Sequence, residues 1–467
     1  MEVRVVINRK NWQKRRKNRM EQYERILRQY PDYWEAIRRI DRIHRLKADE
    51  RLYLMVIVPP LVEYVRWVLR HAEQNGKRRL YFLSRDGYQM YLIAQEMVEQ
   101  GNLPIECRYL QVSRYSMRVP GYHLDLEQGL SSIFFGGINV TVEKILRRGA
   151  LTNEEIQNVI REIGWERMTG RMLNYPQIRR LYKHIQKSKQ IRNYMRSHSL
   201  QAYDDAIGYL KQEGLCDPIP YALVDSGWIG TLQNSIEALV KSVSEDISLE
   251  GYYFGMYEQP RQRKRNQFHP YYFSDRKGIR RKTNFSNSLF ETIVSSPEGM
   301  VIGYIRESEG YMAVKKENSN PNHKQIKRNI KVLRMFLKEY HPVTISDRTK
   351  LAQKLLTPFM AKPTALELAC YGDNYFSDDL LDHDHQRVAA DLTLAQIREQ
   401  RLWNKLMIIM GIEKQSIHES AWLEGSAVRA VSRISIPPGR KKRRIREELK
   451  HIRWYKTVVY LRKQFGV

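Results

Sequence analysis

The chain has 467 residues, length for about two to four domains, and its 42% hydrophobic and 10% aromatic content excludes a disordered chain. Eighty Lys and Arg stand against 52 Asp and Glu, a formal net charge of +28. Such a field draws polyanions (nucleic acid, an anionic bilayer face or phosphorylated small substrates) without choosing among them. Three scattered cysteines, Cys107, Cys216 and Cys370, show neither CxxC nor Cys/His ligand spacing. That argues against a disulfide framework or a zinc site, and for a reducing, cytoplasmic compartment.

The N-terminal stretch MEVRVVINRKNWQKRRKNRM is basic and lacks the apolar core of a signal peptide. Residues 8–50 read as one charged helical arm with Trp12, Tyr23, Leu27 and Tyr30 as a sparse apolar stripe. The longest apolar run, Leu52 to Leu61, is broken by Pro59-Pro60 and falls short of the ~20 residues a bilayer span needs. Beyond Pro60, Leu61, Tyr64, Val65, Val68 and Leu69 recur at helical spacing, which predicts a helix ending at Gly76. LYFLS at 80–84 is a short buried strand, residues 88–100 an amphipathic helix, and IECRYLQVS at 105–113 a second strand, together a βαβ unit.

Residues 125–215 carry mostly helical patterns and read as an insertion or cap. The α/β pattern returns with YALVDSG at 221–227, a helix over 231–243 and a strand over 249–257. Residues 259–282 (RQRKRNQFH, then SDRKGIRRK) read as a basic loop. A strand at 299–305 with an antiparallel partner near 311–315 follows, and after ENSNPNHKQ the pattern is helical to the end. The expected organisation is therefore an α/β protein with a parallel sheet core. Its segments are a basic helical arm (1–50), a first core part (51–124), a helical cap (125–204), a second core part with the basic loop (205–316) and a helical C-terminal region (317–467).

Two strand–turn–helix motifs can carry chemistry. In LYFLSRDGY (80–88) a strand runs into a polar turn, where backbone N–H groups meet a helix N-terminus. Gly87 permits close backbone approach, Arg85 adds a cationic fork and Asp86 an acid; the plain alternative is a βα turn with Asp86 as helix N-cap. In YALVDSGWIGTLQ (221–233) Asp225 ends a strand, and Gly227, Gly230 and Thr231 open a helix, a nest for one phosphate. No Lys follows the second glycine, so this is not a P-loop.

The pair resembles the signature loops of type I phosphoribosyltransferases. Residues 81–88 are similar to their pyrophosphate loop, and residues 224–233 to their phosphoribosyl-binding signature. This chain departs from the usual two adjacent acids by having Ser226 after Asp225. The wider series SRDGY, VSRYS, DSGWIGT and FETIVSSPEG, within roughly residues 50–305, resembles bacterial proteins encoded with polysaccharide-synthesis enzymes. Some of those are fused to, or described as, haloacid-dehalogenase-type hydrolases. That resemblance implies transfer of ribofuranose 5-phosphate from phosphoribosyl diphosphate (PRPP), with Mg²⁺, to an O-antigen or capsule glycan, a separate phosphatase later removing the 5-phosphate.

The implied roles are Ser84, Arg85 and Gly87 on the diphosphate, and Asp225 on the ribose hydroxyls or Mg²⁺, with Ser226 beside it. Gly227, Trp228, Gly230 and Thr231 fall at the 5-phosphate. Asp86 is the first candidate base and Glu291 the second, although a surface ion pair is the plainer reading of Glu291. Arg114 can reach the diphosphate or form a structural ion pair. A hydrolase needs hhhDxDG, and Ser84 stands in the nucleophile's place. Gly372-Asp373 with Asp378-Asp379 mimics its later metal motif but reads as a solvated helix start.

A nucleic-acid-binding protein is the competing class, supported by charge alone and by no recognition signature. The tail Arg440–Arg444 leads into a helix where Ile445, Leu449, Ile452, Val459 and Leu461 share a face beside Trp454, Tyr455 and Phe465. It suits either an anionic membrane surface, at the inner face of the cytoplasmic membrane, or packing on the protein body.

Overall fold

The computed structural model describes residues 19–134, 140–244, 247–259, 267–317, 320–342, 348–377, 385–401, 403–404, 407 and 419–465. Five strands form one all-parallel sheet: β1 (Arg79–Leu83), β2 (Glu106–Leu110), β3 (Tyr221–Trp228), β4 (Gly251–Met256) and β5 (Phe268–Phe273). Their order is β2-β1-β3-β4-β5, with Phe82 opposite Tyr109 on one side and Val224 on the other. Both faces are covered, which is why the strands read as continuous apolar runs. Along β1, Leu80 and Phe82 join the large core that holds the helix Ala48–Gln74, whereas Tyr81 and Leu83 face a second core with Ile207, Leu210, Ile236 and Leu239.

β5 lies inside the segment expected to be a basic loop. Its sequence FHPYYF carries a His and a Pro and is flanked by cations, so its period is masked; Pro270 is tolerated because β5 is an edge strand. Residues 260–266 of that segment lie outside the described residues.

The apolar run at 52–61 does not stop at its prolines. Ala48–Leu52 continues through a π-helical turn, Tyr53–Ile57, into Val58–Gln74, and Val58 N–H bonds back to the Tyr53 carbonyl. The wider turn brings Pro59 and Pro60 into the first turn of the following segment, where a missing N–H costs no bond. The resulting helix, 27 residues, is long and apolar enough to cross a membrane, but its apolar window is 89% buried in the protein.

Nor do residues 19–50 form a loose arm. Helices 19–27 and Pro31–Ile43 are separated at Tyr30, and Tyr23, Leu27, Tyr33, Ile37 and Ile40 sit in the main core. Tyr33 donates to Glu63 at 2.6 Å, and Asp32 pairs with Arg348 at 2.7 Å. Trp12 lies outside the described residues.

Between β2 and β3 the chain makes a helical excursion with its own core, including Val119, Leu146, Val159, Ile185 and Met195. The expected hairpin is β6 (Val301–Glu307) with β7 (Gly310–Lys315), antiparallel. Gly372 and Asp373 follow the end of helix Ala365–Tyr371 rather than starting a helix, and Asp373 pairs with Arg429 at 2.8 Å; Asp378 and Asp379 lie outside the described residues. The C-terminal helix Pro438–Phe465 is packed on the body: Leu449 and Ile452 are buried beside Leu423 and Ala427, and Lys456 pairs with Glu424 at 2.7 Å. Trp454 on the same helix remains half exposed.

Candidate functional site

The chain leaves β1 toward β2 on one side and later places β3 on the other, so a crevice opens beyond the carboxyl ends of β1 and β3. A cavity of about 330 Å³ occupies it. Eleven of the twelve sequence-selected residues line it: Ser84, Arg85, Asp86, Arg114, Asp225, Ser226, Gly227, Trp228, Gly230, Thr231 and Glu291. Gly87 is the exception. It is buried beneath, where a Cβ would lie 3.0 Å from the Phe82 carbonyl carbon, so its smallness serves helix-on-strand packing instead of ligand approach.

At the end of β1 the Ser84 hydroxyl donates to the Val112 carbonyl (2.6 Å) and accepts from Val112 N–H (3.0 Å). It ties β1 to the extension of β2, and the Ser84–Arg85 peptide that follows is cis. Asp86 occupies the N-cap position of helix Gly87–Gly101 but makes no side-chain cap. Its carboxylate instead accepts from the Ser226 hydroxyl at 2.6 Å, across the crevice.

β3 runs beyond β1, and its end turns through positive φ at Gly227 (109°), Trp228 (78°) and Gly230 (72°) before helix Thr231–Lys241. A side chain at Gly227 would meet the Gly255 carbonyl at 2.5 Å, so the turn needs glycine there. The Trp228 ring packs among Phe285, Phe273 and Tyr257, and its indole N–H donates to Glu291. The Trp228 indole thus props a carboxylate. Glu291, on helix Asn287–Val294, is not a surface ion-pair partner; it faces the cavity.

Three carboxylates converge here. Burial and then the negative charge of Asp86 push the Asp225 carboxyl up to about 7, against the backbone N–H groups of Ser226 and Gly227 and the charge of Arg114. The same two causes push Glu291 up to about 8, opposed by Arg114, the Trp228 N–H and Arg85. Both acids therefore titrate in the range where a general base works near neutral pH.

Cations stand near these acids. Arg114 opens a short helix, Arg114–Arg118, that Ser113 caps while its hydroxyl donates to the Val301 carbonyl at 2.7 Å. One turn on, Arg118, which does not itself line the cavity, reaches it through Thr231, donating to that hydroxyl at 3.2 Å at the start of a helix with no side-chain cap. Burial, then the like charges of Arg114 and Arg148, pull Arg118 down to about 10. Among the described residues neither Arg114 nor Arg118 has a carboxylate ion pair. The sequence reading missed Arg118; its only trace was i,i+4 spacing from Arg114. It also missed Asn320, Tyr375, Phe376 and His385, which bring the C-terminal third to the cavity.

No protein-family model matches the chain, and no curated protein matches it.

Proposed function

We propose that the chain transfers a 5-phosphoribosyl group from phosphoribosyl diphosphate to a sugar hydroxyl of a bacterial glycan, on a phosphoribosyltransferase-like core. The observation that supports this most is the meeting of three carboxylates, Asp86, Asp225 and Glu291, with the guanidiniums of Arg85 and Arg114 in one switch-point crevice. A donor with a phosphate at one end, a diphosphate at the other and hydroxyls between them suits such a mixed lining.

In this reading Arg85 and Arg114 neutralise the diphosphate, and Thr231, Arg118 and the uncapped helix N-terminus hold the 5-phosphate. Asp225 takes the ribose hydroxyls. The C1–oxygen bond breaks with its electron pair leaving on diphosphate, the acceptor oxygen bonds C1 from the opposite face, and the acceptor proton passes to a carboxylate. Glu291 is the better matched base; Asp86 keeps Ser226 in place and raises the proton affinity of its two neighbours.

No group of three His, Cys, Asp or Glu that could hold a metal ion occurs among the described residues. Asp225 and Asp86 are hard oxygen donors whose mutual repulsion a cation relieves, so Mg²⁺ fits as an ion carried largely by the donor's own phosphate oxygens. Bound there, it would add charge neutralisation to the leaving group. A hydrolase reading has no support at position 84, where a serine hydroxyl is occupied twice by Val112.

The test is mass spectrometry of a glycan acceptor incubated with phosphoribosyl diphosphate, Mg²⁺ and purified protein. The expected product carries a pentose plus one phosphate, because nothing in the step touches the far end of the sugar. Unphosphorylated pentose, or consumption of a nucleobase in place of the glycan, defeats the proposal. So does a nanomolar, sequence-selective mobility shift with nucleic acid in the absence of donor stabilisation.

A further inference from the structure

A second concavity, about 360 Å³, is lined in part by residues close in sequence to those of the crevice. Its floor is Tyr88, Pro297, Ile330 and Met335, and its flank is one face of helix His323–Glu339. Tyr88 lies two positions from Asp86, and Pro297 two from Ser295, which lines the other cavity.

Lys327, Lys331, Arg334 and Lys338 project into this groove from positions i, i+4, i+7 and i+11, a row of about 17 Å at helical rise. All four are exposed, and none has a carboxylate ion pair among the described residues. Arg328, off this face, is held by Asp49 at 2.7 Å, and Glu339 is taken by Arg39 at 3.4 Å. The opposite face, with Leu333, Phe336 and Leu337, is buried in the main core. Of the helix's other cations, Arg328 is ion-paired and exposed Lys324 is not, but only these four unpaired cations line a concavity.

We propose that this groove binds the anionic residues of the acceptor, a glycan bearing carboxylates or phosphates, and leads its reactive hydroxyl past Tyr88 to the crevice. A row of point charges spaced along a helix suits a repeating, flexible polyanion, and an aromatic ring over an apolar floor suits the face of a sugar. The purpose assigned to the groove rests on the transfer reading, but its occupancy does not require turnover.

Calorimetric titration of the full chain with a hexameric oligogalacturonate, with neutral maltohexaose and with phosphoribosyl diphosphate separates the two. The expected result is salt-sensitive binding of oligogalacturonate, no binding of maltohexaose, and about tenfold or greater weakening of the acidic chain in K331E/R334E and again in K327E/K338E. Donor affinity and the thermal midpoint should match wild type in both variants, since all four residues are exposed and outside the crevice. Equal affinity of either variant for oligogalacturonate overturns the proposal, as does equal binding of maltohexaose. Tighter binding of a single-stranded oligonucleotide at physiological salt overturns it in favour of nucleic acid. Donor binding is read in the same samples, so its absence counts against the transfer reading and absence of acid-chain binding against the groove.

Discussion

The acidic and the basic groups of the crevice are set by opposite means. On the acidic side, three carboxylates come from the turn after β1, from β3 and from a later helix, and burial with the charge of Asp86 makes Asp225 and Glu291 harder to ionise. On the basic side, Arg114 and Arg118 come from adjacent turns of one five-residue helix; the charge of Arg114 acts on Asp225 and Glu291, and neither guanidinium has a carboxylate ion pair among the described residues. A cluster of crowded acids responds to pH near neutrality. A pair of guanidiniums, charged at every working pH, responds only to an anion. The comparison separates what switches from what holds.

The strongest way to break it is Asp225→Asn. Transfer should fall at least about a hundredfold in kcat/KM, while the thermal midpoint at pH 8 should rise by about 1–3 °C because a disfavoured charge is gone. A variant with half of wild-type activity, or one that melts earlier, would mean that Asp225 serves the fold. Next is Arg118→Ala. Loss of one charge-assisted contact should weaken donor binding about 10- to 100-fold by calorimetry. Unchanged affinity would sever the basic side from the donor.

The pH dependence sharpens the acidic side. With Asp225 near 7 and Glu291 near 8, kcat/KM should climb between about pH 7 and 9 as the base ionises. Stability runs the other way. Both carboxyls bind a proton more tightly folded than unfolded, so the contribution present below their ordinary values of 3.8 and 4.5 is lost as pH rises through 7 and 8. Trp228→Phe removes the N–H that favours ionised Glu291, and the ascending limb should move up by about half to one unit. A limb that stays put or moves down would assign it to another group. The smallest effect is Lys441→Ala on the C-terminal helix, remote from both sets of charges, for which donor affinity should equal wild type.

Much of this was legible in residue order. LYFLSRDG and YALVDSGWIG announced themselves because a strand covered on both faces leaves an unbroken apolar run, and a polar turn after it marks the edge where ligands sit. Other features were hidden for definite reasons. Arg118 acts through a helix turn whose direction only packing sets. Glu291 looked like a surface acid because its helix is short, and the indole that holds it comes from 63 positions away. β5 was masked by Pro270 and its basic flanks, and the helix through Pro59 and Pro60 required a π turn that no propensity announces.

That long helix has a practical consequence for anyone mapping topology with reporter fusions. Ala48–Gln74 meets the length and hydropathy of a membrane span, so hydropathy alone would invite a reporter spliced just after it. In this fold the Tyr64 hydroxyl sits within hydrogen-bonding distance of the carbonyls of both Asp225 (3.0 Å) and Tyr252 (2.8 Å). The segment is an internal beam bolted to the strand that carries Asp225. A fusion truncated at residue 75 would part the beam from that strand and report where an orphaned apolar helix goes, not where the protein lives.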